Sequence, residues 1–501
     1  MRRTVAALAA ALGLTGGLLP GGPASGSPVP ASPPEQALDQ VAALLTGTAP
    51  TRRPSAGAVD ATLAMRDLFA ALPRLTGSDR GRAESLLARP TDRGSDPYGD
   101  GYTTRSRRTC ATRICVHWVP TTRDAPPSRR WVATTMRVLR GVWATEVGTL
   151  GYRAPVRDGS RGGDDRFDVY LKELGSQGLY GYCAPERRLR DYRRVASGYC
   201  VLDDDFARSQ FGRAPTKTLR VTAAHEFFHA VQFGYDWGED RWLMESTSTW
   251  MEEQYADAVN DSRQYLRHGQ LGRPDQPLDT STAFHQYGNW VFFQYLGQRF
   301  GADVVRRTWR QAGQFRGDGQ TYSSRAVARA LPRRLGFGAL YAQFAMANTT
   351  PGLSYPEGGS WGAPAVASSR TMGREDAAER TRIDHLAAKP YRLRPARELR
   401  RRVWRMRVTV DGPARETGPV AGVVRVPRSG QVVRTGLRLD ADGRGTVTVP
   451  FNRRQTSALF VVLGNASLRF TCNRGTDYSC HGTSRDDDRR FRLRLEVVRR
   501  G

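Results

Sequence analysis

Residues Val221–Phe233 read VTAAHEFFHAVQF, and the reading of this stretch governs the rest of the chain. Leu219, Phe227, Phe228, Val231 and Phe233 supply the apolar faces that would bury a helix here. His225 and His229 are four residues apart, so a helix puts both imidazoles on one face. Two imidazoles so placed can hold one metal ion. Glu226, next to the first of them, then stands where a general base for zinc-assisted hydrolysis is needed. The competing reading is a buried helix whose histidines only hydrogen-bond within a core.

A catalytic zinc needs a third protein ligand, and the segment that follows offers one. Residues 242–253 read WLMESTSTWMEE, with Leu243, Thr247, Trp250 and Met251 on one helical face and Glu245, Thr249 and Glu252 on the adjoining one. Here the chain resembles the gluzincin zinc peptidases, whose aminopeptidase-like branch carries a W-L-N-E-G-F-A-x-x-x-E stretch. The resemblance implies Glu245 as third zinc ligand and Glu252 as a carboxylate that orients a ligand histidine. The residues alone leave Asp236 or Asp240, and Glu252 or Glu253, as alternative direct ligands. The metzincin pattern is excluded, because Gln232 and Tyr235 stand where it requires Gly and His.

Tyr287, in HQYGNWVFFQYL (285–296), resembles the tyrosine that serves the tetrahedral oxyanion in the same branch, and His285 is the alternative donor. The resemblance covers about Arg108 to Pro351 and is firmest over His225–Glu253. No G-x-M-E-N segment occurs, the element that anchors a substrate's free amino terminus in that branch. The implied activity is therefore that of an endopeptidase rather than an aminopeptidase. The core is also similar to uncharacterised secreted bacterial metalloproteases with a HEFFHAVQFGYDW-type sequence.

Outside this region the chain divides by texture. Residues 1–30, with Arg2 and Arg3 ahead of an apolar run ending at Pro20, have the layout of a secretory signal peptide. Residues 31–105 read as short helices and a linker, either a removable pro-segment or an N-terminal subdomain. Residues 106–355 open with strands and continue mainly as helices, so an α+β domain is expected, with a small mixed sheet, a helical subdomain and, by resemblance, a zincin-like fold. Within it Ser197–Leu202 is the candidate edge strand along which a substrate would align. Residues 356–400 read as a linker. Residues 401–501 show period-two strands between Gly, Asp and Asn turns, the pattern of a β-sandwich.

Composition narrows the compartment and the partners. Six cysteines fall into three local couples, Cys110/Cys115, Cys183/Cys200 and Cys472/Cys480, none with C-x-x-C spacing, which favours disulfides in an oxidising exterior. No later apolar run is long enough to span a bilayer. The net charge of +27 rests almost wholly on arginine, since only Lys172, Lys217 and Lys389 are lysines. Dispersed along the chain, that charge argues against nucleic acid and fits weak association with an anionic cell wall. The expected function is a secreted Zn2+ peptidase acting on peptide or protein substrates. The rival is a secreted polyanion- or cell-wall-binding protein with a vestigial zinc site. The acidic run Asp203–Asp205 reads as a turn, with calcium binding as its alternative.

Overall fold

The computed structural model describes residues 34–47, 60–92, 96–282, 284–473 and 475–500. The expected signal peptide lies outside them. The fold is α+β, as the order of strands and helices predicts. Three helices open it: α1 (Pro34–Leu45), α2 (Ala61–Ala71) and α3 (Gly77–Leu86). Every residue of α2 is buried, although its sequence ATLAMRDLFAA includes Arg66 and Asp67.

Five strands form the first sheet: β1 (Arg107–Cys110), β2 (Ile114–Trp118), β3 (Phe167–Lys172), β4 (Gly181–Leu189) and β5 (Tyr192–Asp203). Their order is β1-β2-β3-β5-β4, with β2, β3 and β5 parallel and the two outer strands antiparallel to their neighbours. Strands β2 and β3 are buried at every position, as parallel strands covered on both faces require. Helix α4 (Arg129–Trp143) crosses between them and ends in a π-helical turn, Ala144–Thr149. The substrate-edge expectation needs correction. Ser197–Leu202 belongs to β5, which is flanked by β3 and β4, and the outer strands are β1 and β4. Pro185 and the charged run Glu186–Arg188 hide β4 from a hydrophobic pattern.

A helical layer follows. The short α5 (Arg208–Phe211) precedes α6 (Pro215–Asp236) and α7 (Arg241–Ala256), which pack against each other, with α6 also lying on β4 and β5. Pro215 sits in the first turn of α6, where its missing N–H costs nothing. The segment around HQYGNWVFFQYL forms two helices, α8 (His285–Gly288) and α9 (Trp290–Phe300). The break follows a close approach: a Cβ on Gly288 would lie 2.4 Å from the backbone nitrogen of Gly269. Helices α10 (Asp303–Ala312), α11 (Ser324–Ala330) and α12 (Phe337–Asn348) complete the layer.

The C-terminal sandwich begins earlier than its sequence pattern indicates. The expected linker at 356–400 holds three strands, β6 (Ser368–Met372), β7 (Ala377–Ile383) and β8 (Ala387–Pro395). Charged residues between small ones, and Pro390 inside β8, mask them. The later strands are β9 (Trp404–Asp411), β10 (Pro419–Pro427), β11 (Val433–Leu437), β12 (Arg444–Pro450), β13 (Thr456–Asn465), β14 (Phe470–Cys472), β15 (Gly482–Ser484) and β16 (Arg489–Arg499). One sheet runs β11-β10-β13-β8-β6, the other β12-β9-β16-β7, and β14 pairs with β15 as a hairpin. Pairing is antiparallel except between β6 and β8.

Helix α12 packs on the outer side of β10 and β13, so these strands are covered on both faces and β13 is buried at nine of its ten positions. The interface is close enough that a Cβ on Gly422 would meet Met346 Sδ at 2.4 Å. All three cysteine couples form disulfides. Among the described residues no helix is long and apolar enough to cross a membrane. Asp203 is not a solvated turn residue. It is buried, and its carboxylate accepts the backbone N–H groups of Leu174, Gly175 and Phe206.

Candidate metal centre

Helix α6 carries His225, Glu226 and His229 on its buried length, and α7 returns beside it to present Glu245. Ligand atoms of His225, His229 and Glu245 lie within 4.8 Å of one another. His225 Nε2 is 3.3 Å from one carboxylate oxygen of Glu245, and His229 Nε2 is 3.5 Å from the other. The far nitrogen of each ring is committed elsewhere. His225 Nδ1 lies 2.8 Å from Glu252 Oε1, and His229 Nδ1 lies 2.8 Å from Gln232 Oε1. Both partners are acceptors, so each Nδ1 donates and each Nε2 turns a lone pair toward Glu245. Gln232 is itself fixed, its amide donating to Met244 O at 2.9 Å.

With both rings neutral and Glu245 ionised, three lone-pair-bearing groups would converge in this buried space, an arrangement that needs a cation or, in its place, a proton shared between His225 Nε2 and Glu245. His229 Nε2 and Glu245 Oε1 have no hydrogen-bond partner although both are buried. A buried acceptor without a partner is one that a bound ion can satisfy. Two imidazoles and a carboxylate are also the donor set that suits zinc. Burial and the charge of Asp60 push the Glu245 carboxyl up to about 8, and burial with the neighbouring His225 pushes His229 down to about 3. His225 goes the other way: burial opposes its charge, but hydrogen bonds to Glu245 and Glu252 hold it well above the usual imidazole range. A cation would take the place of the protons that Glu245 and His225 otherwise favour, and His229 is already neutral and ready to ligate.

Glu226 lies between this cage and the edge strand. Its Oε2 accepts a hydrogen bond from Thr62 Oγ1 at 2.8 Å, and Thr62 Oγ1 in turn accepts the backbone N–H of Cys183 in β4 at 2.9 Å. Burial raises the Glu226 carboxyl to about 7. Gly181 leaves it room, since a Cβ there would come within 3.1 Å of Glu226 Cγ. Tyr287 tilts its ring beside His225, with centroids 6.1 Å apart, and its hydroxyl donates to Asp60 Oδ2 at 2.6 Å. The Ser246 hydroxyl donates to Gln286 O, which ties α8 to α7 and so places this tyrosine.

Other expected groups lie elsewhere. His285 is buried with Nδ1 2.6 Å from His268 O and Nε2 3.0 Å from Pro277 O, so it holds a loop together and is not available as an oxyanion donor. Asp236 accepts from Gly238 N and Gln314 Nε2 at the far end of α6, Asp240 lies outside the cage, and Glu253 accepts from Ser262 Oγ. Glu252 reaches the outer nitrogen of His225 instead of joining the three converging groups. Asp60 and Thr62 carried no motif that sequence reasoning could have found. They reach the site only because α2 docks there.

Residues 211–324 match a family model described as "Family of unknown function (DUF6055)". That span contains His225, Glu226, His229, Glu245, Glu252 and Tyr287. No curated protein matches the chain. Among solved structures it is similar to a family GH115 4-O-methyl-alpha-glucuronidase, BtGH115A, with specificity for decorated arabinogalactans, at 9% identity and a TM-score of 0.14. The match covers 56% of this chain and 42% of that one, less than half its length, and the score is too low to establish a shared fold.

Proposed function

We propose that this protein is a secreted zinc-dependent peptidase of gluzincin type that cuts peptide or protein substrates at internal bonds. The convergence of His225 Nε2, His229 Nε2 and the Glu245 carboxylate, with two of these atoms buried and unpartnered, carries the reading. His225, His229 and Glu245 would hold the ion. Bound there, zinc supplies Lewis acidity that polarises a scissile carbonyl and acidifies water.

The chain's own groups supply the rest. Glu226, buried and with its carboxyl near 7, takes a proton from water and passes it to the leaving amine. Tyr287 presents a hydroxyl donor on the same side as His225, suited to a developing oxyanion. Strand β4, an outer strand of the sheet beside Glu226, has backbone groups that an extended peptide could use in place of Thr62. Glu252 and Gln232 fix the ring orientations. Three disulfides and the signal-like start support secretion, and the arginine-rich exterior supports loose association with an anionic cell wall.

The test combines metal analysis with a peptide-library digest at neutral pH, with and without a zinc chelator. About one zinc per chain, lost in His225→Ala, and chelator-sensitive interior cuts are expected. Glu226→Gln should keep the zinc and lose the cuts. Metal well below half an equivalent, unchanged by His225→Ala, would leave the polyanion-binding alternative in its place.

A further inference from the structure

The groups assigned above to substrate are already engaged by the chain's own N-terminal segment. Asp60 caps α2, its Oδ1 accepting Leu63 N at 2.8 Å while its Oδ2 accepts the Tyr287 hydroxyl. Two residues on, Thr62 holds both the Glu226 carboxylate and the Cys183 N–H of the edge strand. The donor for the oxyanion, the base, and a backbone donor of the edge strand are thus satisfied by one turn of chain.

That turn is held firmly. Arg66 donates to Glu239 O at 2.9 Å and pairs with Asp67, and Asp67 also meets Arg241 of α7 and the Tyr478 hydroxyl beyond the β14 strand. Phe69 packs edge-on against Trp237, at the turn between the two ligand helices. Thr62 takes the Cys183 N–H that a peptide lying along β4 beside Glu226 would need. The way out is visible as well: Thr76–Ser78, where α3 begins, is exposed, whereas Arg89 beyond α3 is locked into the sheet domain by Asp158, Asp168 and Glu186.

We infer that helix α2, with Asp60 and Thr62 at its head, is a latency segment that occupies the substrate cleft, so that the intact chain is the inactive form. The inference rests on the peptidase reading for its catalytic consequence but not for its physical content, which is occlusion of the metal cage. The cleft it fills is one for an extended peptide, because the segment meets a strand edge, a base and a hydroxyl donor together.

The test uses the full, zinc-loaded chain and compares it with the double variant Asp60→Ala/Thr62→Ala. Two readouts are taken: hydrolysis of an internally quenched peptide, and the rate of zinc transfer to dipicolinate. Both should rise at least tenfold (about 1.4 kcal/mol) in the variant. Unchanged zinc transfer, with hydrolysis equal or lower, would overturn the inference and make Asp60 a group that serves turnover. Faster zinc transfer with no hydrolysis in either form would uphold occlusion and sink the peptidase reading instead. If the double variant does not fold, Asp60→Asn, which keeps the cap on Leu63 but removes the charge, is read in the same way.

Discussion

Glu252 Oε1 lies 2.8 Å from His225 Nδ1, while His225 Nε2 faces Glu245 on the opposite side of the ring. The imidazole is therefore gripped from both sides by α7, through residues two helical turns apart. The outer carboxylate fixes the tautomer and raises the basicity of the nitrogen that would meet a metal. Glu252→Gln keeps an acceptor but loses the charge, so zinc affinity should fall about tenfold; Glu252→Ala should cost toward a hundredfold. Competition with a chromogenic chelator measures this. An Ala variant within twofold of the parent would show that Glu252 does not act through His225.

Removing the metal should loosen the fold around α6 and α7. Both helices are buried over nearly their whole length, and without a cation their centre holds unpartnered acceptors. A ligand present at about a thousand times its dissociation constant stabilises the folded state by about 4 kcal/mol. In a domain of 150–250 residues that corresponds to a rise in Tm of roughly 10 °C. Calorimetry with excess zinc and with EDTA should show this difference in the parent and none in His229→Ala. Equal melting in the parent with and without EDTA would contradict the cage.

Arg89 is the anchor for everything N-terminal to the sheet. Its guanidinium is fully buried among Asp158, Asp168 and Glu186, and Asp168 is shared with His117 at 2.7 Å. Breaking such a cluster at its buried cation leaves Asp158 and Asp168 without their arginine away from water, with only Glu186 still paired, to Arg161. Arg89→Met should lower stability by about 3–5 kcal/mol, read as a drop in the urea midpoint at unchanged slope. A loss below about 1 kcal/mol would mean that the carboxylates relax to solvent.

The histidine pair and Glu226 are legible in the sequence because they obey a local rule, i to i+4 on one helical face, whereas periodicity puts Glu245 and Glu252 on one face of the following helix and only the resemblance singles out Glu245. What the sequence hides is whatever depends on docking. Thr62 and Glu226 are 164 positions apart, and no periodicity links them. His285 and Tyr287 are two residues apart in one short helix, and only the fold shows that the first turns into the loop behind while the second faces the cage. Strands β4, β6, β7 and β8 escape pattern reading for one shared reason, since arginine, glutamate and proline interrupt their apolar positions. Arginine's long apolar stem lets those positions stay in a sheet while the charge reaches water.

His385, in the turn between β7 and β8, joins the sandwich to the helical layer. Its Nδ1 pairs with Asp487, just ahead of β16, and its Nε2 lies 2.9 Å from Asp279, in the loop before α8. Burial opposes a charge on this ring, but the two carboxylates outweigh it and push it up to about 10. The folded value therefore stands above the unfolded one of about 6.5. It follows that His385 contributes its full stability below about pH 6.5 and loses it as pH rises through 10. His385→Asn should cost about 2 kcal/mol near pH 6, as for hydrogen bonds between charged groups. The gap in Tm between parent and variant should narrow steadily from pH 7 to 10. A gap that stays constant, or widens with pH, would show that the ring is neutral in the folded chain and that the junction rests on other bonds, such as those of Leu386 O with Leu278 N and the Tyr341 hydroxyl.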